Sequence, residues 1–317
     1  MIRTVLGDVD PALLGRVDYH EHLFQVSPLL PGDELDDEAA SGAEAAALRD
    51  SGFAAMVDAT PSGLGRDPEA VARISAATGL RVVATSGRHR EAHYAQAHPT
   101  RARSTQELTR LFTAEIVDGV PASDASPHGP RARTPDGEPV RAGILKGGID
   151  YWRISPFERI TLDAVAAAHA ATGAAIMVHL EFCTAAHEVL DVLAGAGAAA
   201  DRVVLAHADR DPDPGLHVSL AERGAYLGYD GSARQRTRSD AELLALTAAV
   251  VAAGGGDRIL LGGDVARRSR YVAYGGMPGL AHLGSRYLPR LRAEIGETAV
   301  DRMLVTNPAR LLPLRVP

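Results

Sequence analysis

The feature that most constrains this chain is a repeated alternation. Eight short, nearly continuous apolar runs, at 15–22, 54–60, 81–87, 140–146, 175–179, 203–207, 225–230 and 259–264, are separated by Ala-, Leu- and Glu-rich stretches of helical spacing. Runs of Val, Ile, Leu and Ala that do not alternate with polar residues read as strands buried on both faces. The stretches at 38–51, 68–78, 160–172, 184–196 and 240–253 carry the helical pattern, and Gly52, Gly79, Gly173 and Gly254 supply left-handed stops after several of them. Strand–helix alternation implies a parallel sheet, and eight units close a (β/α)8 TIM barrel; an open doubly wound sheet is the rival architecture. No linker with a composition shift on both sides interrupts the chain, so residues 1–317 read as a single domain. At 119–139, five prolines (Pro121, Pro127, Pro130, Pro135, Pro139) and an Asp136-Gly137 turn break the rhythm, as a lid or a hairpin excursion would.

Charge and cysteine content then exclude several functions. With 33 Lys+Arg against 40 Asp+Glu, the net charge of −7 argues against a nucleic-acid surface. No run of about 18 apolar residues is present to span a membrane, and the N-terminus lacks the apolar core of a signal peptide. Cys183 is the only cysteine, so neither an intrachain disulfide nor a thiolate-rich metal site is available. A cytoplasmic protein acting on a small molecule is the expectation.

One residue stands out against this background. Lys146 is the only lysine in a chain otherwise served by arginine. Arginine does not give up its proton, whereas a lysine amine can be neutralised and act as a nucleophile. Chance retention on a solvated surface is the bland reading, and the neighbours weigh against it. The first apolar run ends in His20-Glu21-His22, the fourth in Lys146, the fifth in His179, the sixth in His207 and the eighth in Asp264. Alternation along a strand sends His20 and His22 to one face and Glu21 to the other. A single histidine at a strand end is more often a hydrogen-bonded core residue than a ligand. Four imidazoles, a carboxylate and a lone lysine at five strand ends together suit divalent cations, zinc above all. The other eight histidines, His89 and His93 among them, fall in helices or loops and read mostly as solvated.

These residues carry a family resemblance. The segments "TVLGDVDPALLGRVDYHEHL", "DATPSGLGRDPEAVARISAATGL", "GILKGGIDYWRISPFER", "VVLAHAD", "LAERGAYLGYDG", "ILLGGD" and "NPARLL" resemble the phosphotriesterase-related branch of the amidohydrolase superfamily over nearly the whole chain. The resemblance implies a homodimer and two divalent ions, Zn2+ first, with Mn2+, Co2+ or Ni2+ as alternatives. It implies that His20, His22 and Asp264 hold the more buried ion, and that His179 and His207 hold the more exposed one. Lys146 would bridge both as a CO2-derived N-carboxylated lysine. Carbon dioxide adds only to a neutral amine, and nearby metal both depresses the amine pKa and stabilises the product anion. Such a pair activates water for hydrolysis, with Asp264 placed to accept and pass on the proton.

The metal centre leaves the substrate open among lactones, phosphotriesters, carboxyl esters and amides. Arg234, Arg236 and Arg238 follow the seventh run, and Arg267, Arg268 and Arg270 follow the eighth. Loops at these positions often build an anion site in such barrels, and arginine pairs bidentately with phosphate or carboxylate. The segment "GGDVARRSRYVAYGGMPGLAHLGSRYLPRL", with "SGRHREAHY", is similar to the subgroup that opens phosphorylated sugar lactones. By that likeness Arg267, Arg268 and Tyr271 would grip the phosphate. Tyr94 is a further candidate to orient the substrate oxygen, or else a packed loop tyrosine. A barrel that binds a ligand without turning it over would be expected to lack at least one of the six metal-site residues, and none is missing.

Overall fold

Backbone hydrogen bonding turns the eight apolar runs into one parallel sheet. The computed structural model describes residues 1–234 and 238–315. A small antiparallel hairpin, β1 (Ile2–Thr4) and β2 (Gly7–Val9), comes first. The barrel strands follow: β3 (Val17–Glu21), β4 (Ala55–Asp58), β5 (Arg81–Gly87), β6 (Ala142–Gly148), β7 (Ala175–His179), β8 (Val203–Ala206), β9 (Tyr226–Tyr229) and β10 (Ile259–Leu261). They pair in chain order from β3 to β10, every pair parallel. Beyond β10 the ring is stitched to β3 by Asp264 N–H donating to the His20 carbonyl at 2.9 Å. Two buried carboxylates of β3 reinforce this seam: Asp18 accepts from Gly263 N–H at 3.3 Å and Glu21 from Val265 N–H at 3.0 Å. The fold is the TIM barrel.

The apolar residues of the strands follow one another without polar alternation because successive positions enter two different cores. Val17, Tyr19, Val57, Val83, Ile144, Met177, Val204 and Leu260 fill the barrel interior. Their neighbours Met56, Val82, Leu145, Ile176, Leu205 and Leu261 pack outward in the larger core beneath the helices. The helices between strands are α1 (Glu38–Asp50), α2 (Pro68–Thr78), α3 (Thr105–Val117), α4 (Pro156–Thr172), α5 (Ala186–Gly195), α6 (Pro214–Glu222) and α7 (Asp240–Ala252), with α8 (Leu288–Ile295) after β10. Helix α4 starts a turn earlier than its apolar spacing suggests, because Ser155 and Glu158 form a reciprocal capping box with Pro156 in the first turn. Helix α3 lies outside the stretches named from spacing alone, and Ser104 and Glu107 form the same device in front of it.

The proline-rich excursion is a flap held in two-stranded form. Isolated antiparallel bridges join Pro121 to Arg131 and Arg133 to Pro139. It is pinned to the barrel by the Arg66 guanidinium, which donates to Asp124 at 2.9 Å and to Glu115 of α3 at 2.7 Å. Among the described residues no helix is long and apolar enough to cross a membrane.

Asp58 closes β4 on the buried side, where its carboxylate accepts from Thr60 N–H at 3.1 Å. Burial pushes its carboxyl pKa up to about 6. A raised carboxyl pKa means that the folded state holds the proton more tightly than the unfolded chain. The resulting stabilisation is complete below pH ~4 and is lost as the pH rises through about 6. We therefore expect Asp58→Asn to flatten the stability–pH profile, removing a decline of roughly 3 kcal/mol between pH 4 and 7. Urea unfolding across that range measures it. Parallel curves for the two proteins would contradict the assignment.

Candidate metal centre and pocket

The C-terminal ends of the strands converge on one polar floor. Strict alternation would continue the inward series Val17, Tyr19 to residue 21, but the register between β3 and β4 shifts between Asp18 and Glu21. The break leaves the Glu21 carboxylate on the seam and brings His20 and His22 together, ring centroids 5.4 Å apart, in the wall of the pocket. In β6 and β7 the alternation holds, and it carries Lys146 and His179 inward from Ile144 and Met177. His207 and Asp264 lie just past their strands with left-handed backbones, φ +63° and +42°. Such conformations are uncommon for non-glycine residues, and here they turn side chains towards the pocket.

Close backbone approach depends on two glycines. A Cβ on Gly87, itself at φ +125°, would lie 2.1 Å from the Lys146 carbonyl oxygen. A Cβ on Gly228 would lie 2.0 Å from the Tyr19 hydroxyl, which occupies that space to donate to Asp230. Asp230 in turn accepts from His207 Nδ1 at 2.7 Å, and its second oxygen lies 3.5 Å from His20 Nδ1.

The imidazoles share one pattern. His22 Nδ1 meets the Thr60 hydroxyl at 2.7 Å, His179 Nε2 meets Glu181 at 2.8 Å, and His207 Nδ1 meets Asp230. One nitrogen of each of these three rings is thus engaged, and the other faces the floor; His20 Nδ1 makes no hydrogen bond among the described residues. His22 Nε2 lies 3.5 Å and His20 Nε2 3.8 Å from one oxygen of Asp264. His179 Nδ1 and His207 Nε2 are 2.8 Å apart. Two triads, His20–His22–Asp264 and His20–His207–Asp230, each bring three donor atoms within 4.8 Å of one another. Burial first, and neighbouring positive groups second, hold all four histidines well below the ordinary imidazole range, so they are neutral at pH 7. Neutral imidazoles with an oriented outer nitrogen are what a divalent cation requires.

Lys146 is fully buried beneath this floor, where Nζ donates to the Ala59 carbonyl at 2.9 Å and lies 3.4 Å from His20 Nε2. Burial lowers its amine to about 7, so a large share of it is neutral at physiological pH. The Asp264 carboxylate also contacts the guanidinium of Arg234, and Arg210 approaches at 3.5 Å.

Above the floor lies a cavity of about 240 Å³ walled by Arg90, Arg210, Arg234 and Arg267 on several sides. Arg267 is therefore where the sequence suggested, ion-paired to Asp33 at 3.4 Å. Three other expected contacts are not brought to this cavity. Tyr271 is fully buried behind it and donates its hydroxyl to the His22 carbonyl, so it braces that backbone. Arg268 turns away to Asp36 at 3.5 Å, its guanidinium over the Tyr274 ring. Tyr94 is buried, accepting from His89 N–H at 2.9 Å and donating to the Ser62 carbonyl at 3.0 Å. Arg236 lies outside the described residues. Conversely, His89 and His93, read as solvated, are buried in the pocket wall with rings 3.8 Å apart. Asp230, Arg90, Glu181 and Arg210 were also missed; only Asp230, a carboxylate ending an apolar run, left a usable signal.

The site's relatives agree with its chemistry. Residues 1–312 match the model of the phosphotriesterase family. The chain is 30% identical to a phospho-furanose lactonase of Mycoplasmopsis synoviae, over 98% of this chain and 91% of that protein. It is 27% identical to an N-acetyltaurine hydrolase of Tetraodon nigroviridis, over 99% of this chain and 98% of the other. The crystal structure of a lactonase from Listeria monocytogenes superposes with a TM-score of 0.88 at 30% identity, covering 99% of each chain. With a matching family model over almost its full length and the same barrel, this chain belongs to the phosphotriesterase family and is a metal-dependent hydrolase.

Proposed function

We propose that the protein is a binuclear metallohydrolase that opens the ring of an anionic sugar lactone, phosphorylated in its physiological form. One observation carries the reading: four arginines wall a small pocket whose floor is a set of converging neutral imidazoles and a carboxylate.

The residues fit a pair of cations by their own chemistry. His20, His22 and Asp264 would hold one ion and His179 and His207 the other, since each of the four rings presents a nitrogen to the floor. Lys146, buried and with a lowered amine pKa, is suited to carboxylation by CO2, which would supply a ligand for both ions. When bound, the pair supplies Lewis-acid polarisation and a water acidic enough to attack at neutral pH. Zn2+ suits these nitrogen and oxygen donors best.

The remaining work falls to side chains. Asp264 is placed to accept the proton released as water attacks and to return it to the leaving alkoxide, forming the hydroxy acid. Asp230 and Glu181 keep His207 and His179 in the tautomers that leave the floor-facing nitrogens free. Arg267 binds the anionic end of the substrate at the mouth. Arg90 and Arg210, tethered to Glu181 at 3.1 and 3.9 Å, add a positive field without collapsing into the cavity. Nothing here calls for a covalent intermediate. A second reading, hydrolysis of an amide with an anionic tail, draws support from the resemblance to N-acetyltaurine hydrolases and from the same arginines.

Two outcomes test this function. Elemental analysis of the purified protein should find about two divalent ions per chain, and Lys146→Ala should lose most of that metal along with activity. Full activity in the variant, or after exhaustive chelation, would contradict the mechanism. A hydrolysis screen should compare sugar lactones with their phosphorylated forms and with an N-acyl amino sulfonate. Arg267→Ala should lower kcat/KM for the phosphorylated lactone by roughly 10- to 100-fold, the loss of about 1.5–3 kcal/mol, and spare uncharged lactones. Arg268→Ala should stay near the parent protein. Equal losses on charged and uncharged substrates would defeat the anion site, and preference for the sulfonate amide would favour the second reading.

A further inference from the structure

Six histidines line the pocket, and two of them, His89 and His93, have no place in the metal floor. His89 differs from the floor histidines in the direction of its hydrogen bonds. Glu181 and Asp230 are carboxylates, so the nitrogens of His179 and His207 that meet them carry the protons, and the lone pairs are left for the floor. The Nδ1 of His89 instead accepts from the Arg90 N–H at 2.8 Å. A ring nitrogen that accepts an amide proton bears none of its own, so the proton of this imidazole sits on Nε2. Nε2 has no partner among the described residues and is open to the cavity that the ring lines. His89 thus offers an N–H to the cavity, a group that cannot ligate a metal ion but can donate to an oxygen.

The ring is also held in place. The Tyr94 hydroxyl accepts the His89 backbone N–H at 2.9 Å, and the His93 ring packs on that of His89 with centroids 3.8 Å apart. His93 is itself anchored, its Nδ1 3.0 Å from the Ser27 hydroxyl. The close passage of the 89–90 peptide over β6 requires Gly148, where a Cβ would lie 2.9 Å from the Arg90 nitrogen. The His179 ring, part of the floor, lies 4.4 Å from that of His89, so the N–H opens at the floor's edge. A donor fixed before the substrate arrives needs no reorganisation when negative charge develops beside it. We propose that His89 Nε2–H donates a hydrogen bond to the acyl oxygen of the substrate and stabilises the negative charge that this oxygen gains as water adds to its carbon. His89 is then a catalytic residue, and His93 and Tyr94 are positioning residues that reach the substrate only through it. This role rests on the hydrolytic function proposed above, but on the acyl group under attack rather than on the anion that Arg267 binds, so it holds for a lactone and an amide alike.

Two variants of the full-length, metal-loaded protein test it: His89→Leu, which removes the N–H, and His89→Gln, whose amide returns a donor near the Nε2 position. With the best substrate of the hydrolysis screen, His89→Leu should lower kcat by about 100-fold and change KM by less than about threefold. His89→Gln should recover at least about tenfold of that loss. Metal content and the thermal unfolding midpoint should match the parent in both. A readout independent of turnover is the tautomer: long-range 1H–15N correlation on histidine-labelled protein, with the His89 signals assigned by their absence in His89→Gln, should find the proton on Nε2. Unchanged kcat in His89→Leu, equal losses in the two variants, loss of bound metal in either, or a proton on Nδ1 would overturn the role. A metal-loaded parent that hydrolyses neither lactones nor amides would instead overturn the proposed function, an outcome distinct from an active parent matched by His89→Leu.

Discussion

Burial of ionisable groups at the top of the barrel is the constraint on which the site depends. Four imidazoles, an amine and two carboxylates sit at 0–6% exposure at the top of the barrel. Water cannot solvate them there, and desolvation drives the histidines and the lysine towards their neutral forms. Neutral nitrogen donors converging beside a carboxylate are poor partners for one another: the 2.8 Å approach of His179 and His207 puts two lone-pair atoms face to face unless one is protonated. A cation held between these two nitrogens would resolve that conflict. Most local details of the barrel serve this convergence: the register break in β3, the left-handed residues at 207 and 264, and the glycines at 87 and 228.

The framework around the floor is built from ordinary interactions used in an unusual place. Asp18 and Glu21 replace a strand ladder at the barrel seam with carboxylate-to-amide bonds, so the peptide carrying Asp264 is fixed from both sides. Tyr271 braces the His22 carbonyl from behind, and Asp230 joins Tyr19, His20 and His207 in one buried group. Truncating any of these would act on metal geometry through position rather than through contact with substrate. The arginines are arranged differently. Arg90, Arg210 and Arg267 keep carboxylate partners at 3.1–3.9 Å, distances loose enough for an incoming anion to compete.

Much of this was legible in the polymer because the fold repeats one signal eight times. Continuous apolar runs marked the strands to within a few residues, and their last residues named the histidines, Lys146 and Asp264. Position relative to the floor was harder to read. Tyr94, Arg268 and Tyr271 lie in loops whose direction depends on tertiary contacts, such as the Tyr271 bond to His22 and the Arg268 stack on Tyr274. His89 and His93 are hidden for the same reason: a loop histidine is normally solvated, but this loop folds back over the barrel mouth, where His93 Nδ1 and the Ser27 hydroxyl share a hydrogen bond at 3.0 Å. The flap at 119–139 was visible as an interruption, and only the Arg66–Asp124–Glu115 cluster showed what it covers.

Anomalous diffraction from crystals grown with zinc would show whether this floor holds a pair of ions. Two ion peaks are expected, one among His20, His22 and Asp264 and one beside His179 and His207, with continuous density from Lys146 Nζ to both for a carboxylated side chain. A site without ordered zinc, with the Lys146 amine unmodified and still bonded to the Ala59 carbonyl, would contradict that expectation.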